Sequence, residues 1–224
     1  MSVISFATSK GGAGKTTACI VLGTTFADQL KVSIIDADPA HRVNRWAEKG
    51  PYPKSITVIK CADENRIMDV IEAEQEKSDV VLVDLEGVAS KLNSYVFSMS
   101  DLVIVPTGDE QQDVEDAILT LKQIKLDSRA SRRDIPAKVL FARTKAAVKS
   151  RLEKKLNKQM RDNVDCFEAE LKTRTAFSSI HNSGGNLDSL PSDVSGVDKA
   201  KENAREIAKE IIATFQQAKQ EAVA

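Results

Sequence analysis

The sequence predicts an α/β protein with a mostly parallel, twisted sheet flanked by helices. Three observations carry this: six short β-branched runs recur along the chain, helix-sized segments separate them, and the first strand-to-helix junction is rich in glycine. Apolar runs without alternation suit strands buried on both faces, and helix-length gaps between them suit right-handed crossovers.

In chain order, the first run (residues 3–7) leads directly into Ser9-Lys10-Gly11-Gly12-Ala13-Gly14-Lys15-Thr16-Thr17, after which residues 17–30 carry apolar side chains at helical spacing. The second run (32–35) ends on Asp36-Ala37-Asp38-Pro39, and the third (56–59) precedes a helical segment at 63–75. The fourth (80–83) ends on Asp84, and the fifth (102–105) ends on Pro106 ahead of a helix at 113–125. The sixth (139–142) precedes a helix at 149–160. Residues 181–197 are rich in Gly, Ser, Asn and Asp and contain Pro191, so they read as a surface loop before a closing helix.

Composition narrows the function classes. A chain of 224 residues with 42% apolar content suits one domain over 1–224 with one sizeable core. Thirty-two basic against 33 acidic residues leave a net charge of −1, so any nucleic-acid surface must be local. Three scattered cysteines (Cys19, Cys61, Cys166) without a C-x-x-C pair argue for a reducing compartment and against zinc. No apolar run approaches the roughly 20 residues of a membrane span, and no signal segment leads the chain. A cytoplasmic protein with no membrane partner is expected.

The glycine-rich junction carries the chemistry. A phosphate loop needs glycines that turn backbone N–H groups inward, a helix N-terminus behind them, a lysine for the β/γ-phosphates and a hydroxyl for Mg²⁺. Residues 10–17 supply these: Lys10, Gly11, Gly12, Ala13, Gly14, Lys15, Thr16 and Thr17 form the candidate nucleotide cradle, with Lys15 on the phosphates and Thr16 on the metal. Asp84, at a strand's carboxyl end where open parallel sheets bind ligands, is a candidate for the Mg²⁺ side; an ordinary turn cap is the plainer alternative.

Lys10-Gly-Gly-x-Gly-Lys-Thr resembles the deviant phosphate loop of the ParA/MinD group of P-loop ATPases. The second acidic motif at residues 34–39, the Walker B-like strand ending at Asp84, and the strand and proline at 103–106 extend the resemblance over most of the chain. The start at the phosphate-loop strand is similar to small ParA proteins without an N-terminal helix-turn-helix domain. The resemblance implies ATP and Mg²⁺ as cofactors, Asp36 near the metal, and Asp38 orienting the attacking water. It also implies that Lys10 crosses an ATP-dependent homodimer interface to the other subunit's phosphates. Many members have two prolines after the Walker B aspartate, where this chain reads Asp84-Leu85-Glu86-Gly87; a glycine there resembles other P-loop switches. The family's adenine pocket points to Arg143-Thr144-Lys145 and to residues near Ser183.

Residues 125–161 hold thirteen basic and three acidic residues, a local net charge of +10. Such a segment can neutralise DNA phosphates without reading bases, although a basic helix is often simply a solvated face. Lys149, Arg151, Lys154, Lys155 and Lys158 are the candidate contacts, and the resemblance adds non-specific DNA binding in the ATP state, nucleoid association and a ParB-like or other stimulating partner. His41 reads as a helix-start hydrogen bond, Trp46 as packing, and His181 carries no role. The closing helix places Ile207, Ile211, Phe215 and Ala218 on one face and is expected to pack on the domain. The leading reading is a partitioning or positioning ATPase; a DNA-transfer accessory ATPase and a metabolic P-loop enzyme are the alternatives.

Overall fold

A computed structural model describes residues 2–87, 90–144 and 150–221. Seven strands form one parallel sheet: β1 (Ser2–Phe6), β2 (Val32–Ala37), β3 (Ile56–Lys60), β4 (Val80–Leu85), β5 (Leu102–Thr107), β6 (Ala137–Thr144) and β7 (Leu171–Lys172). Their spatial order is β3-β2-β4-β1-β5-β6-β7. The first six fall on the six expected runs. The helices are α1 (Lys15–Phe26), α2 (Arg42–Ala47), α3 (Ile67–Gln75), α4 (Lys91–Met99), α5 (Gln111–Ser131), α6 (Arg151–Asn163), α7 (Thr175–Ser183) and α8 (Val197–Glu221).

The period of two along each strand divides the core into two layers. Ile34 of β2 and Leu82 of β4 face a layer that also holds Ile20, Leu22, Trp46, Phe177 and Ile207; Ile35 and Val83 face the opposite layer with Ile71, Phe97, Ile124 and Phe141. Both faces are therefore covered, which is why the strands read as continuous apolar runs. α1 is buried on nearly all sides, between the sheet and α8, so it lacks the polar face of a surface helix.

The parity sets the site. Asp36 and Asp84 are register partners on adjacent strands, each two residues beyond Ile34 or Leu82, so both carboxylates face the α1 layer at the sheet's carboxyl edge.

Some boundaries differ from the sequence expectation. α1 begins at Lys15 because Gly14, with φ 99°, is its N-cap. α5 runs eight residues longer than the apolar periodicity suggests, two at its start and six at its largely exposed end. α4 starts at Ser90, whose hydroxyl accepts from the Asn93 amide at 3.2 Å, and was not anticipated; nor were β7 and α7. Residues 181–183 thus close a helix instead of opening a loop, and a short 3₁₀ turn, Leu187–Ser189, interrupts the rest. Trp46 packs as expected: it is buried, its indole N–H donates to the Gly185 carbonyl at 3.0 Å, and its ring lies 5.3 Å from that of Tyr52. α8 buries Ala200, Ala204, Ile207 and Ile211, with Phe215 partly covered. Among the described residues no helix is long and apolar enough to cross a membrane.

Candidate nucleotide-binding site

The loop after β1 takes its shape from glycines where the backbone turns left-handed: Gly12 has φ 81° and Gly14 has φ 99°. At Gly14 a Cβ would also lie 3.3 Å from that of Ala142. The loop is fixed from two sides. The Ser9 amide donates to Thr120 Oγ1 and its hydroxyl to the Asp116 carbonyl, both at 2.9 Å, which ties it to α5. On the other side Gly87 presses against it, since a Cβ there would stand 3.1 Å from the Gly11 amide nitrogen and the Lys10 carbonyl. A side chain at position 87 would push the loop by a few tenths of an ångström, so the close approach suits a glycine.

A cavity of about 390 Å³ opens over the loop and the start of α1. Gly12, Gly14, Lys15, Thr16 and Thr17 form its floor, Arg42 and Arg143 its sides, and Lys172, Arg174, Phe177 and His181 its far wall. That volume suits a nucleotide-sized ligand. Arg143 adopts φ 58°, uncommon for a non-glycine residue, and its guanidinium donates to the Gly12 carbonyl at 2.5 Å. Of the proposed adenine-pocket residues, Arg143 lines the cavity, Thr144 is buried with an unpartnered hydroxyl, and Lys145 lies outside the described residues. Ser183 is not part of the wall; its hydroxyl donates to the Ser179 carbonyl at 2.8 Å.

Behind the floor lie the acidic groups. Asp84 is fully buried, and Thr16 Oγ1 donates to its Oδ2 at 2.7 Å. Asp36, also fully buried, accepts at Oδ2 from the Asn44 amide at 2.8 Å and the Asn44 side-chain amide at 3.0 Å. The other oxygen of each, Asp36 Oδ1 and Asp84 Oδ1, has no hydrogen-bond partner. An unsatisfied buried polar atom costs about 1–3 kcal/mol, and more when charged. Two such carboxylate oxygens in register beside a threonine hydroxyl fit a hard, oxygen-seeking divalent cation such as Mg²⁺. Burial pushes the Asp84 carboxyl up to about 7, with the neighbouring Asp36 adding to the rise against the Thr16 hydrogen bond. Burial also lowers the Lys15 ammonium below its usual range, opposed by Asp84 and Asp38. Both groups are thus held toward neutrality, a condition that phosphate and a cation relieve.

Asp38 is 5% exposed and accepts at Oδ1 from the Ala40 amide at 2.8 Å and at Oδ2 from the Arg42 guanidinium at 2.6 Å. Lys10 points elsewhere: its ammonium bonds Asp113 Oδ1 on α5 at 2.7 Å, and it lines a second cleft with Ala13, Asp109 and Glu110. The Asp113 hydrogen bond raises its pKa. Lys15 Nζ is 3.4 Å from the Lys10 carbonyl. The fold therefore gathers Gly12, Gly14, Lys15, Thr16 and Thr17 on one cavity, sets Asp36 and Asp84 behind it, and turns Lys10 and Ala13 to a neighbouring cleft.

Two histidine readings need correction. His41 makes no helix-start hydrogen bond with its side chain; it is the N-cap residue of α2 with φ 48°, its Nδ1 is unpartnered, and Asp36 holds the helix start through Asn44 instead. His181 is part of the cavity wall, with Nε2 2.9 Å from Thr17 Oγ1. Burial and the nearby Lys49 lower its pKa, which favours the neutral ring. His181 lies in the stretch near Ser183 to which the resemblance pointed, whereas Arg174 and Phe177 follow a strand of only two residues and gave no sequence signal.

Residues 1–216 match the family described as VirC1 protein. A protein named ParA from Rhizobium radiobacter is 35% identical over 210 residues, covering 93% of this chain and 95% of that protein. Among solved structures, an ATP complex of Cyanothece McdA superposes with a TM-score of 0.73 at 16% identity, covering 94% of this chain and 96% of its own. The cell-division protein MinD from Aquifex aeolicus gives a TM-score of 0.71 at 20% identity, with 95% and 98% covered. The sequence match over nearly the whole chain and the shared sheet architecture lead to one conclusion: this chain belongs to the VirC1 family, within the ParA/MinD class of P-loop ATPases.

Proposed function

We propose that the protein is an ATP-hydrolysing switch that dimerises on Mg-ATP, binds DNA without sequence preference in that state, and partitions or positions DNA or another cargo. A ParB-like or other partner protein stimulates its hydrolysis. The observation that carries the reading is the pair of register-matched carboxylates, Asp36 and Asp84, each with an unpartnered oxygen, set behind Lys15 and Thr16.

In this reading the amides around Gly12 and Gly14 and the Lys15 ammonium bind the phosphates, and the α1 N-terminus adds its positive end. Thr16, Asp36 and Asp84 hold Mg²⁺, which supplies neutralisation of phosphate charge. Asp38, fixed by the Ala40 amide, accepts a hydrogen bond from the attacking water and keeps it in line. Lys10 is directed away from its own cavity, which supports a role across a twofold interface, where each copy gives and receives one lysine. There it stabilises the charge that develops as the terminal phosphoryl group leaves.

In the basic segment Lys125, Arg129 and Arg132 are exposed at the end of α5, and the remaining described members are either engaged within the fold or exposed on α6. Arg133, Lys138, Arg143 and Arg161 are engaged within the fold: Arg133 with Ser98 and Asp101, Lys138 with Glu210, Arg143 with Gly12, and Arg161 with Phe167. Arg151, Lys154, Lys155 and Lys158 are all exposed along α6 at three- and four-residue spacing, which places them on one stripe. Lys149 lies outside the described residues. This stripe is the proposed DNA contact. Neutralising Z phosphates gives a slope of log K against log[salt] of about −0.9Z. Replacing Lys154, Lys155 and Lys158 by glutamate is therefore expected to flatten the slope by up to about 2.7 per protomer. The change should leave the slope independent of DNA sequence. Binding of random duplexes measured across a salt series with ADP and with ATP checks this; tight binding in ADP, or an unchanged slope in the variant, would remove α6 as the DNA surface.

A further inference from the structure

Among the groups around the cavity, Arg42 has no place in the chemistry so far. It is the first residue of α2, its guanidinium lies 2.6 Å from Asp38, and it lines the same cavity as Gly12 and Lys15. The two partners are unequal: the Arg42 side chain is 55% exposed and that of Asp38 only 7%. Asp38 does not depend on the pairing for its position, because the Ala40 amide holds its other oxygen at 2.8 Å. Arg42 can therefore leave without displacing the carboxylate.

We propose that Arg42 is the terminal-phosphate sensor of this site. It pairs with Asp38 when the cavity holds nucleoside diphosphate or no nucleotide, and moves onto the γ-phosphate when a triphosphate binds, which leaves Asp38 Oδ2 for the attacking water. The inference rests on the nucleotide reading above. A guanidinium binds phosphate oxygens as a planar fork with charge-assisted hydrogen bonds, and a terminal phosphate carries more charge than one carboxylate. The diphosphate lacks that group and leaves the ion pair intact. Arg42 and Lys15 both line the cavity, so a terminal phosphate there has two cations within its walls. The left-handed His41, immediately before Arg42, places the turn in a backbone conformation that non-glycine residues rarely adopt. Through Asn44, the same short helix is bonded to Asp36, so α2 joins the metal-side and water-side carboxylates.

The test uses the full chain and compares affinities for Mg-ADP and for a non-hydrolysable Mg-ATP analogue by titration calorimetry. Arg42→Gln is expected to weaken the triphosphate about tenfold while changing the diphosphate less than twofold, and Arg42→Lys is expected to restore most of the difference. Asp38→Asn removes the competing carboxylate charge and is expected to raise the preference for triphosphate severalfold. A triphosphate-to-diphosphate ratio that is unchanged in Arg42→Gln overturns the proposal, whether both affinities hold or both fall together. An unchanged or reduced preference in Asp38→Asn overturns it as well, even if Arg42→Gln does not fold. Wild-type protein that binds neither nucleotide overturns the underlying site reading; wild-type binding with an unchanged variant ratio overturns the Arg42 sensor alone.

Discussion

Lys15→Ala is expected to abolish nucleotide binding, whereas Lys10→Ala is expected to bind ATP almost normally and lose hydrolysis. The two lysines are five residues apart, and the fold sets them in different clefts. Lys15 is 6% exposed on the cavity floor, where removal deletes the ammonium that meets the β/γ-phosphates and leaves Asp84 without its neighbouring cation. A hydrogen bond to a charged group contributes about 1.5–3 kcal/mol, and two such bonds with the added carboxylate repulsion amount to at least about a hundredfold in affinity. Lys10 is bonded to Asp113, outside that cavity, so its loss leaves the cradle intact. What it removes is a cation delivered in trans, and groups of that kind raise phosphoryl-transfer rates by about 10³–10⁵. Fluorescent-nucleotide titration and phosphate release on both variants check this, and an equal loss of affinity in the two would place Lys10 in its own subunit's site.

Asp38→Ala is expected to lower the hydrolysis rate by at least about a hundredfold with ATP affinity kept or improved. The Asp38 carboxylate takes its hydrogen bonds from Ala40 and Arg42, outside the loop glycines and the Asp36–Asp84 pair. Its removal therefore takes away the oriented acceptor for water, and positioning of that kind is most of what phosphoryl transfer asks of a protein. It also frees Arg42 from its ion pair, so the triphosphate gains a cation it otherwise shares. Single-turnover hydrolysis with ATP separates this outcome from a binding defect. A variant that hydrolyses at the wild-type rate would exclude Asp38 as the water-orienting group.

The parts legible in the sequence are those encoded by neighbours in the chain. The phosphate loop is nine consecutive residues, and its glycines, lysine and threonine occupy the strand-to-helix turn they were expected to occupy. Asp36 and Asp84 were legible as strand ends, since a run of apolar residues stops at each; their direct pairing followed only from strand order, which puts β2 beside β4. What was not legible depends on distant contacts. His181 meets Thr17 across 164 positions, and Lys10 meets Asp113 across 103. β7 has two residues, too few for a β-branched run, so α7 was legible only as the residues near Ser183 to which the resemblance pointed. Arg42 reaches Asp38 at a spacing of four only because the chain turns left-handed at His41, which a histidine does not announce. The basic segment gave the right local charge, but several of its members are engaged within the fold, and the exposed ones fall on the end of α5 (Lys125, Arg129) and along α6.

The central claim is that ATP is both substrate and bridge between two copies of this chain. Light scattering of the Asp38→Ala protein with Mg-ATP, compared with Mg-ADP, tests it most directly, because hydrolysis no longer drains the bound state. The account predicts the monomer mass of 24.4 kDa in ADP and twice that mass in ATP, with Lys10→Ala in the same background returning the ATP state to monomer. A protein that binds ATP normally and keeps the monomer mass in both nucleotides would contradict it.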